Sequence, residues 1–458
     1  MPCPVKPKPL QSKASLFKIF FKKQHSWLDG LYERSYSMKM GQVALPGLKL
    51  YMVNQLDLVR RVMIEDVEHF PKHEMLHDIM GPLLGESIFT TNGPQWRRQR
   101  DLLDPVFDIH RVQQVFSLMC AASQAMEARM DGVEHGSEID VDDEMTFVTA
   151  DIIFRTILSV SLDSTEARKI LDAFVIFQQE SPKIALRRMF RLPHWLVWRR
   201  SARRWRHAGE QIRAALTKVI RPRYDAFHAR GADTPPGDDI LDSILATVRE
   251  DTGRGFSFEE VLDQVAMLFL AGHETSASAL TWSLYLLALH PEIQERAAAD
   301  AERALGDAEP ELSALKQLSF VRDIFREALR LYPPVGFLAR GCTYATQMRD
   351  KQLEAGSTVV ISPWLIHRHR DYWVNPDGFD PERFAREKPL RDAFLPFGTG
   401  PRVCIGVTFA MQEAVLILSS LLRRYRFVIV PGFTPKPVGR LTIRSENGML
   451  LKLEHRDR

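Results

Sequence analysis

The order of apolar and polar positions predicts long helices in the middle of the chain and short strands near its two ends. From about residue 55 to 330, apolar residues mostly recur at helical spacing between Pro/Gly breaks. Apolar and β-branched residues predict a short hairpin over 42–53 and further strands within 357–362 and 426–454. We therefore expect a mainly α fold with small β-sheets assembled from both ends of the chain.

One predicted helix is much longer than the others. Ser257 and Glu260 form the S-x-x-E pattern of a capping box before a long apolar run, and Pro291 ends that run after His290. About 33 residues at about 1.5 Å each give a helix of roughly 50 Å. Because it is apolar on most faces, we expect this helix to pass through the centre of a large domain.

The composition is that of a globular protein with nearly balanced charge. The chain has 458 residues, of which 61 are Lys or Arg and 58 are Asp or Glu, so its formal charge is +3. This balance argues against a dedicated nucleic-acid-binding protein. The four cysteines follow no metal-site or disulfide spacing, and no apolar stretch approaches the roughly 18 residues that span a bilayer. A reducing compartment, and hence a cytoplasmic location, is the expectation.

The first 40 residues differ in character from the rest. Six lysines precede the first acidic residue, Asp29, and residues 1–15 are rich in Pro and Lys. We expect a basic, solvated arm over 1–40, followed by a single domain over 41–458. A weak anchor at a membrane surface is the alternative interpretation of this arm.

The segment Phe397-Gly398-Thr399-Gly400-Pro401-Arg402-Val403-Cys404-Ile405-Gly406 carries the clearest chemical signal. Its glycines and proline predict a tight loop, and the pattern from Val407 to about Tyr425 predicts a helix directly after it. A thiol at a helix N-terminus beside Arg402 is expected to have a lowered pKa, and its thiolate can serve as a nucleophile or a metal ligand. A structural cysteine after a Gly-rich turn is the alternative.

This loop resembles the cysteine loop of the cytochrome P450 family, the haem-thiolate monooxygenases. It matches the family pattern F-x-x-G-x-R-x-C-x-G at every fixed position. The resemblance implies that Cys404 ligates the iron of haem b, and that Phe397, Arg402 and Gly406 contact the cofactor. It also implies the cytochrome P450 fold of the soluble bacterial type, with haem between the long central helix and the helix after Cys404.

A second pair of segments matches the family upstream of this loop. Glu327 and Arg330 stand three residues apart on a predicted helix, where they share a face, and Pro381-Glu382-Arg383-Phe384 follows later. The resemblance implies a buried network of Glu327, Arg330 and Arg383 that fixes the loop carrying Cys404. A weak surface ion pair is the alternative for the first two residues.

The middle of the long helix breaks helix-forming rules at Ala271-Gly272-His273-Glu274-Thr275. Glycine costs about 1 kcal/mol against alanine in a helix, and rules broken together indicate a functional site. We interpret the segment as a proton-delivery site: Gly272 lets a flat ligand and dioxygen approach, Thr275 holds a water, and Glu274 relays protons from solvent. Residues 271–275, including Ala271, match the family's oxygen-activation motif. His273 is expected to be a packing or solvent-facing residue.

Trp96 and Arg100 lie four residues apart and hence on one helical face. The resemblance implies that both contact the haem propionates, and that Arg340 and Arg402 complete a cationic clamp on these carboxylates. A basic, solvated helix end is the alternative for Trp96 and Arg100. The sequence assigns no role to His367, which falls in a region that the family often writes as HR.

The resemblance implies an enzyme that inserts one oxygen atom from O2 into a hydrophobic small molecule. No flavin or iron–sulfur segment is apparent, so electrons are expected from a separate ferredoxin or flavodoxin with its reductase. Arg97, Arg98 and Arg402 would attract such a small acidic partner on the cysteine side of the haem. We expect a monomer that binds no nucleic acid.

Residues 183–230 form a second basic region. They contain 14 Lys or Arg and only two acids, Glu210 and Asp225, with three interleaved tryptophans. A solvated basic helix pair is the preferred interpretation. By analogy with the family, the segment covers the substrate entrance, where it would touch a membrane surface or attract an acidic substrate.

The expected substrate pocket is apolar and bulky, and fatty acid, terpenoid and steroid substrates all fit it. Its candidate residues are Met75, Leu76, Ile79, Ile88, Phe89, Met267, Val335 and Phe337. Two other functions stay open. One is a haem-thiolate peroxygenase or rearrangement enzyme without an electron partner, against which the Glu274-Thr275 pair argues. The other is a non-catalytic haem-binding or gas-sensing protein.

Overall fold

The computed structural model describes residues 3–11, 26–45, 48–162, 165–189, 199–230, 237–247, 253, 255–306 and 309–456. In these ranges it confirms a mainly α fold with small sheets. The helices are α1 (Leu56–Arg60), α2 (Glu74–Leu84), α3 (Gly93–Leu103), α4 (Ile109–Gln114), α5 (Phe116–Asp131), α6 (Val141–Leu158), α7 (Thr165–Met189), α8 (Arg199–Arg230), α9 (Ile240–Ala246), α10 (Phe258–Leu289), α11 (Pro291–Leu305), α12 (Leu312–Gln317), α13 (Ser319–Leu331), α14 (Pro363–Ile366), α15 (Arg383–Arg386) and α16 (Val407–Arg424).

The strands are short and form small sheets. They are β1 (Met40–Leu45), β2 (Leu48–Val53), β3 (Ser137–Asp140), β4 (Leu338–Gly341), β5 (Thr346–Met348), β6 (Lys351–Leu353), β7 (Thr358–Ile361), β8 (Tyr425–Ile429), β9 (Pro437–Gly439), β10 (Ile443–Ser445) and β11 (Leu450–His455). The sheet orders are β1-β2-β7-β4, β3-β11-β8, β9-β10 and β5-β6.

The first sheet joins distant parts of the chain. Strands β1 and β2 form the antiparallel hairpin that the sequence predicts, with Met40 opposite Val53. Strand β7 pairs with β2 in parallel, so Val53 lies opposite Ile361, and β4 pairs with β7 on its other side. The predicted strands at both ends of the chain are therefore present, and the hairpin shares its sheet with β4 and β7.

Helix α10 is the predicted central helix. The hydroxyl of Ser257 accepts a hydrogen bond from the N–H of Glu260, and the carboxylate of Glu260 accepts one from the N–H of Ser257. These two bonds form the predicted capping box, and the helix ends one residue before His290. Helices α2, α6, α8, α13 and α16 all pack against α10. The main apolar core of the molecule therefore forms around it.

The burial pattern along α10 shows where this core is interrupted. From residue 261 to 288, every residue is buried except Ala271, Gly272 and Thr275. These three residues belong to the segment that breaks the helix-forming rules. The helix therefore borders internal space, rather than packed side chains, at the place where the sequence predicts a functional site.

The expectation of a solvated N-terminal arm is wrong for residues 3–11. Lys6 forms an ion pair with Asp377 at 2.5 Å, and the hydroxyl of Tyr332 donates to the carbonyl of Val5 at 2.6 Å. The buried tyrosine hydroxyl needs an acceptor, which this segment supplies. Residues 12–25 lie outside the described ranges, and the domain boundary at residue 40 stays a prediction. No helix in the described ranges is long and apolar enough to cross a bilayer.

Candidate active site

A cavity of about 1350 Å³ lies between helix α10 and the loop that precedes α16. Its wall includes Ala271, Gly272 and Thr275 on α10, and Cys404 on the loop. The cavity thus brings together two motifs that stand about 130 residues apart in the sequence.

The cysteine loop owes its shape to two glycines. Gly398 and Gly400 have φ angles of 73° and 74°, a region that favours glycine. A Cβ atom at Gly400 would also collide with the carbonyl oxygen of Met63. The N–H of Cys404 donates to the carbonyl of Phe397 at 2.9 Å, which closes the loop. The side chain of Cys404 keeps accessible surface and borders the cavity.

The pKa of Cys404 shifts in the direction opposite to the sequence prediction. Burial raises the pKa of the thiol, and the N–H of Gly406 and the charge of Arg100 oppose this rise only in part. Cys404 stands two residues before Gly406, the N-cap of α16, and desolvation is the largest effect on its pKa. A metal cation at the sulfur would favour the thiolate, because its charge replaces the lost hydration.

Four of the basic side chains that border the cavity lie close together: Lys72, Arg100, Arg340 and Arg402. We call them the cation cluster. Arg100 pairs with Asp104, and it also donates to the carbonyl of Val403 at 2.8 Å. In the described part of the chain, no carboxylate pairs with the other three. Among the described residues, Lys72, Arg340 and Arg402 therefore have no ion-pair partner.

The pKa values of Lys72, Arg340 and Arg402 are all lowered, as expected for buried cations without a counter-charge. Burial, together with the charge of Arg402, lowers the pKa of Arg340 to about 10, and the Nε atom of Arg340 has no hydrogen-bond partner. Burial likewise lowers the pKa of Arg402 to about 10. The pKa of Lys72 falls well below its ordinary value, first through burial and then through the charges of the other three. The cluster is thus suited to bind an anion with more than one negative charge.

Trp96 and Asn92 orient this cluster. The guanidinium of Arg402 lies over the ring of Trp96, 4.2 Å from its centroid, and donates to Oδ1 of Asn92 at 2.9 Å. The same Oδ1 accepts the N–H of Lys72 at 2.9 Å. Lys72 and Asn92 were missed by the sequence analysis, because nothing in their local pattern separates them from surface residues. The residues present fit a haem: a sulfur ligand at the cavity wall and cations that can hold its two propionates.

The predicted network of Glu327, Arg330 and Arg383 is present in the structure. Both oxygens of Glu327 accept hydrogen bonds from Arg330 at 2.8 Å, and Nε of Arg383 donates to the same carboxylate at 3.0 Å. The side chains of Glu327 and Arg330 are completely buried. This geometry excludes the alternative of a weak surface pair.

His367 connects this network to the cysteine loop. Arg330 donates to the carbonyl of His367 at 2.8 Å, and Nδ1 of His367 lies 3.2 Å from the carbonyl of Arg330. Nε2 of His367 accepts the N–H of Leu395 at 2.7 Å, two residues before Phe397. Burial and the charges of Arg330 and Arg368 lower the pKa of His367 to about 3, so the ring stays neutral. This neutral ring explains how the network can fix the loop.

Glu274 is held by charged partners rather than left free to titrate. Arg444 on β10 donates to both of its oxygens, at 3.1 and 2.8 Å, and Thr442 donates to Oε1 at 2.5 Å. Burial alone would raise the pKa of Glu274, but the charges of Arg444 and His273 and the hydrogen bonds from Arg444 and Thr442 together lower the pKa to about 2. The same arginine binds Asp142 on α6. The geometry does not support the interpretation of Glu274 as a proton relay from solvent.

Gly272 borders the cavity, and its role in the approach of a ligand stays a prediction. A Cβ atom here would collide with Cδ1 of Ile153 on α6, so the glycine allows α6 and α10 to pack closely. The hydroxyl of Thr275 donates to the carbonyl of Ala271 at 2.6 Å, and Thr275 borders the cavity. His273 is completely buried against Phe269, as a packing residue.

The eight residues that the sequence suggests for the substrate pocket all border the cavity. They are Met75, Leu76, Ile79, Ile88, Phe89, Met267, Val335 and Phe337. Their contact with substrate stays a prediction. The wall also contains residues of the β9–β10 turn, including Leu441, which the sequence analysis did not suggest.

Comparison with known proteins decides the family. The family model of cytochrome P450 matches residues 4–452. The chain belongs to the cytochrome P450 family. It is therefore a haem-dependent oxidoreductase of the monooxygenase type, as the cysteine loop suggests.

Named relatives and a solved structure are similar to this cytochrome P450 over most of its length. It is 32% identical to cyclooctatin synthase of Streptomyces melanosporofaciens over 79% of this chain and 77% of that protein. It is 28% identical to a human ultra-long-chain fatty acid omega-hydroxylase, over 89% of this chain and 80% of that protein. The crystal structure of the cytochrome P450DA haem domain superposes with a TM-score of 0.80 at 26% identity, over 92% of this chain and 90% of that one.

The arginines expected to attract an acidic redox partner are largely engaged within this cytochrome P450. Arg97 is exposed but pairs with Glu68 at 3.1 Å, and Arg98 pairs with Glu260 at the start of α10. Arg402 faces inward, into the cation cluster. Attraction of an acidic partner by Arg97 and Arg98 stays a prediction, whereas Arg402 belongs to the cavity wall.

Glu413 on α16 is a buried carboxyl that the sequence analysis missed. Its Oε2 lies 2.5 Å from the hydroxyl of Ser276 on α10, and its Oε1 has no partner. Burial raises its pKa to about 8, so it is protonated at neutral pH. Its position in an apolar helix pattern gave a signal, since a carboxyl there must be paired or neutral.

We predict that Glu327→Gln destabilises the protein strongly. The substitution keeps the shape of the side chain but leaves the charges of Arg330 and Arg383 buried without an anion, at a cost of about 3–5 kcal/mol. Urea unfolding of the haem-loaded enzyme measures this loss. The control is Glu382→Gln. The ion pair of Glu382 with Arg296 is half exposed and contributes at most about 1 kcal/mol to the free energy of unfolding. Equal, small losses in both variants would contradict the network.

We predict that the loss of stability in Arg444→Met grows with pH. In the wild type, Glu274 has a pKa of about 2 and stays ionised at every pH above about 4.5. Without Arg444, burial raises the pKa of Glu274 above that of the unfolded chain, so stability falls as pH rises through this interval. The difference in unfolding free energy should be larger at pH 8 than at pH 5 by about 1 kcal/mol or more.

Arg426→Met on the exposed face of β8 is the control for this measurement, and its effect should not depend on pH. A destabilisation by Arg444→Met that is constant between pH 5 and pH 8 would show that Arg444 does not hold Glu274 ionised.

Proposed function

We propose that this cytochrome P450 binds haem b and inserts one oxygen atom from O2 into a C–H bond of a hydrophobic small molecule. The observation that carries the proposal is the shared cavity, which has Cys404 and the cation cluster at one end and an apolar wall beside Thr275. Two electrons and two protons balance the reaction, in which the second oxygen atom leaves as water. A ferredoxin or flavodoxin with its reductase would supply the electrons to a monomeric, cytoplasmic enzyme that binds no nucleic acid.

The chain's part in cofactor binding follows from the cavity walls. Bound haem would supply the reducible iron at which dioxygen is activated. The Cys404 sulfur would be its ligand on the loop side. Lys72, Arg340 and Arg402 would hold its carboxylates, and this pairing would remove the repulsion among the three buried cations.

The apolar residues of the cavity would bind substrate and exclude water. Fatty acid, terpenoid and steroid substrates are all compatible with the eight pocket residues. The hydroxyl of Thr275 is a polar group of α10 at this wall that would donate to or accept from a water molecule in the cavity. Its present acceptor, the carbonyl of Ala271, fixes its orientation.

Protons for the reaction would come from a group that is protonated at neutral pH. Glu274 is ionised and bound to Arg444, so it serves as a fixed anion that shapes the helix segment. Glu413 holds a proton next to Ser276, the neighbour of Thr275 in the chain. We therefore assign proton storage to Glu413 and the final contact to Thr275.

The ionised state of Glu274 removes the argument that the sequence analysis raised against a peroxide-dependent enzyme. A peroxygenase is therefore the second candidate function, and an experiment must distinguish it from a monooxygenase. The two candidates differ in their oxidant: O2 with reductase for the first, and peroxide alone for the second.

The test is turnover of the haem-loaded enzyme under ¹⁸O2, with a surrogate ferredoxin and reductase, on compounds that perturb the haem spectrum. We predict one ¹⁸O atom per product, and a red-shifted Soret band of the reduced CO complex that is lost in Cys404→Ala. The control is Cys342→Ala, which removes a cysteine buried away from the cavity. Product with peroxide but with no reductase system would favour the peroxygenase, and an unchanged spectrum in Cys404→Ala would contradict the assignment.

A further inference from the structure

The opening of the cavity carries five arginines, which we call the mouth arginines. Arg187 and Arg188 lie at the end of α7, and Arg199, Arg203 and Arg206 lie on α8; all five border the cavity. The three on α8 are four and three residues apart, so they share one face of that helix. Helices α7 and α8 pack against each other, which brings both sets to the same opening.

Four of the mouth arginines are exposed, whereas Arg187 is buried, with only 9% of its surface accessible. Burial lowers the pKa of Arg187, and the charges of Arg188 and Arg206 lower it further. A buried guanidinium surrounded by other cations is costly unless an anion joins it. The position therefore favours an anionic ligand at the point where the cavity opens.

The acidic side chains near this opening do not neutralise it. Asp78 lies 3.6 Å from Arg188. Glu180 is buried, and it is bound by Lys183 at 2.7 Å and by Arg204 at 3.2 Å. Within the described ranges, the other four mouth arginines have no carboxylate partner. The positive charge at the opening is thus available to a ligand.

The wall also contains many apolar side chains. Leu76, Ile79, Ala185 and Met267 are among them, and Thr275 and Cys404 border the same cavity. Glu74 also borders the cavity but forms no ion pair with a described mouth arginine. A ligand that matches this wall has an anionic head group and a long hydrocarbon chain.

We propose that the mouth arginines bind the carboxylate of a long-chain fatty acid, whose chain lies along the cavity with its far end beside Thr275. The forked guanidinium of arginine matches a carboxylate in geometry as well as charge. Oxygen would then enter at a carbon remote from the carboxylate. This inference rests on the proposed monooxygenase function and selects fatty acids over neutral terpenoids and steroids. The similarity to a fatty acid omega-hydroxylase agrees with it.

The test is calorimetric binding of palmitic acid and of 1-hexadecanol to the haem-loaded enzyme, in wild type and variants. The variants are Arg187→Gln, which removes the buried cation, and the double variant Arg203→Gln/Arg206→Gln, which leaves the core untouched. The matched control is Arg200→Gln, an exposed arginine of α8 that does not border the cavity. We expect both test variants to bind palmitate roughly tenfold more weakly or worse, with the alcohol and the control unchanged.

Two results would overturn the inference. One is equal affinity of the wild type for palmitate and hexadecanol. The other is unchanged palmitate affinity in the double variant, which decides the question if Arg187→Gln fails to fold. A further experiment is sedimentation of the enzyme with phosphatidylglycerol vesicles. If the arginine substitutions weaken vesicle binding but not palmitate binding, the mouth arginines contact lipid and do not form a substrate site. Because binding needs no turnover, failure of the proposed function would appear separately, as absence of product with any reductase.

Discussion

Buried positive charge that no described carboxylate neutralises is the constraint on which the proposed haem site depends. Lys72, Arg340 and Arg402 meet at one cavity, and their pKa values are lowered because burial and mutual repulsion disfavour their charged forms. Such a cluster is expensive in an isolated chain. It would become favourable if a ligand with two carboxylates, such as haem, bound to it. Binding of haem would therefore remove the repulsion among these buried cations.

The sulfur side of the site depends on rigid support from buried polar groups. The carboxylate of Glu327 accepts hydrogen bonds from Arg330 and Arg383. The ring of His367 accepts a hydrogen bond from the backbone N–H of Leu395 and so connects this network to the segment before the cysteine loop. Each of these groups is buried and would be costly if left unpaired. The loop that carries Cys404 is consequently positioned by contacts that lie outside its own sequence. The same principle operates at Glu274, whose charge state is fixed by Arg444 on a distant strand.

The sequence predicts well what local patterns determine. The ends of α10 follow from a capping box and a proline, and the cysteine loop follows from its glycines. Pairings between distant segments are not visible in this way. Arg444 stands 170 residues from Glu274, and no periodicity connects them. Lys72 looks like an ordinary surface lysine until the topology places it beside Arg340. The pKa of Cys404 was misjudged for a related reason, because its burial depends on the whole fold rather than on the following helix.

Binding of haem and of haem dimethyl ester to the apoprotein tests most directly whether the buried cations hold the carboxylates of the cofactor. The ester keeps the iron and the ring but lacks both negative charges. If the cation cluster binds the propionates, the ester binds the wild-type apoprotein at least roughly tenfold more weakly than haem. Arg340→Met should then lower the affinity for haem but not the affinity for the ester, so the two affinities become more similar. Equal affinities of the wild type for the two porphyrins would contradict the account.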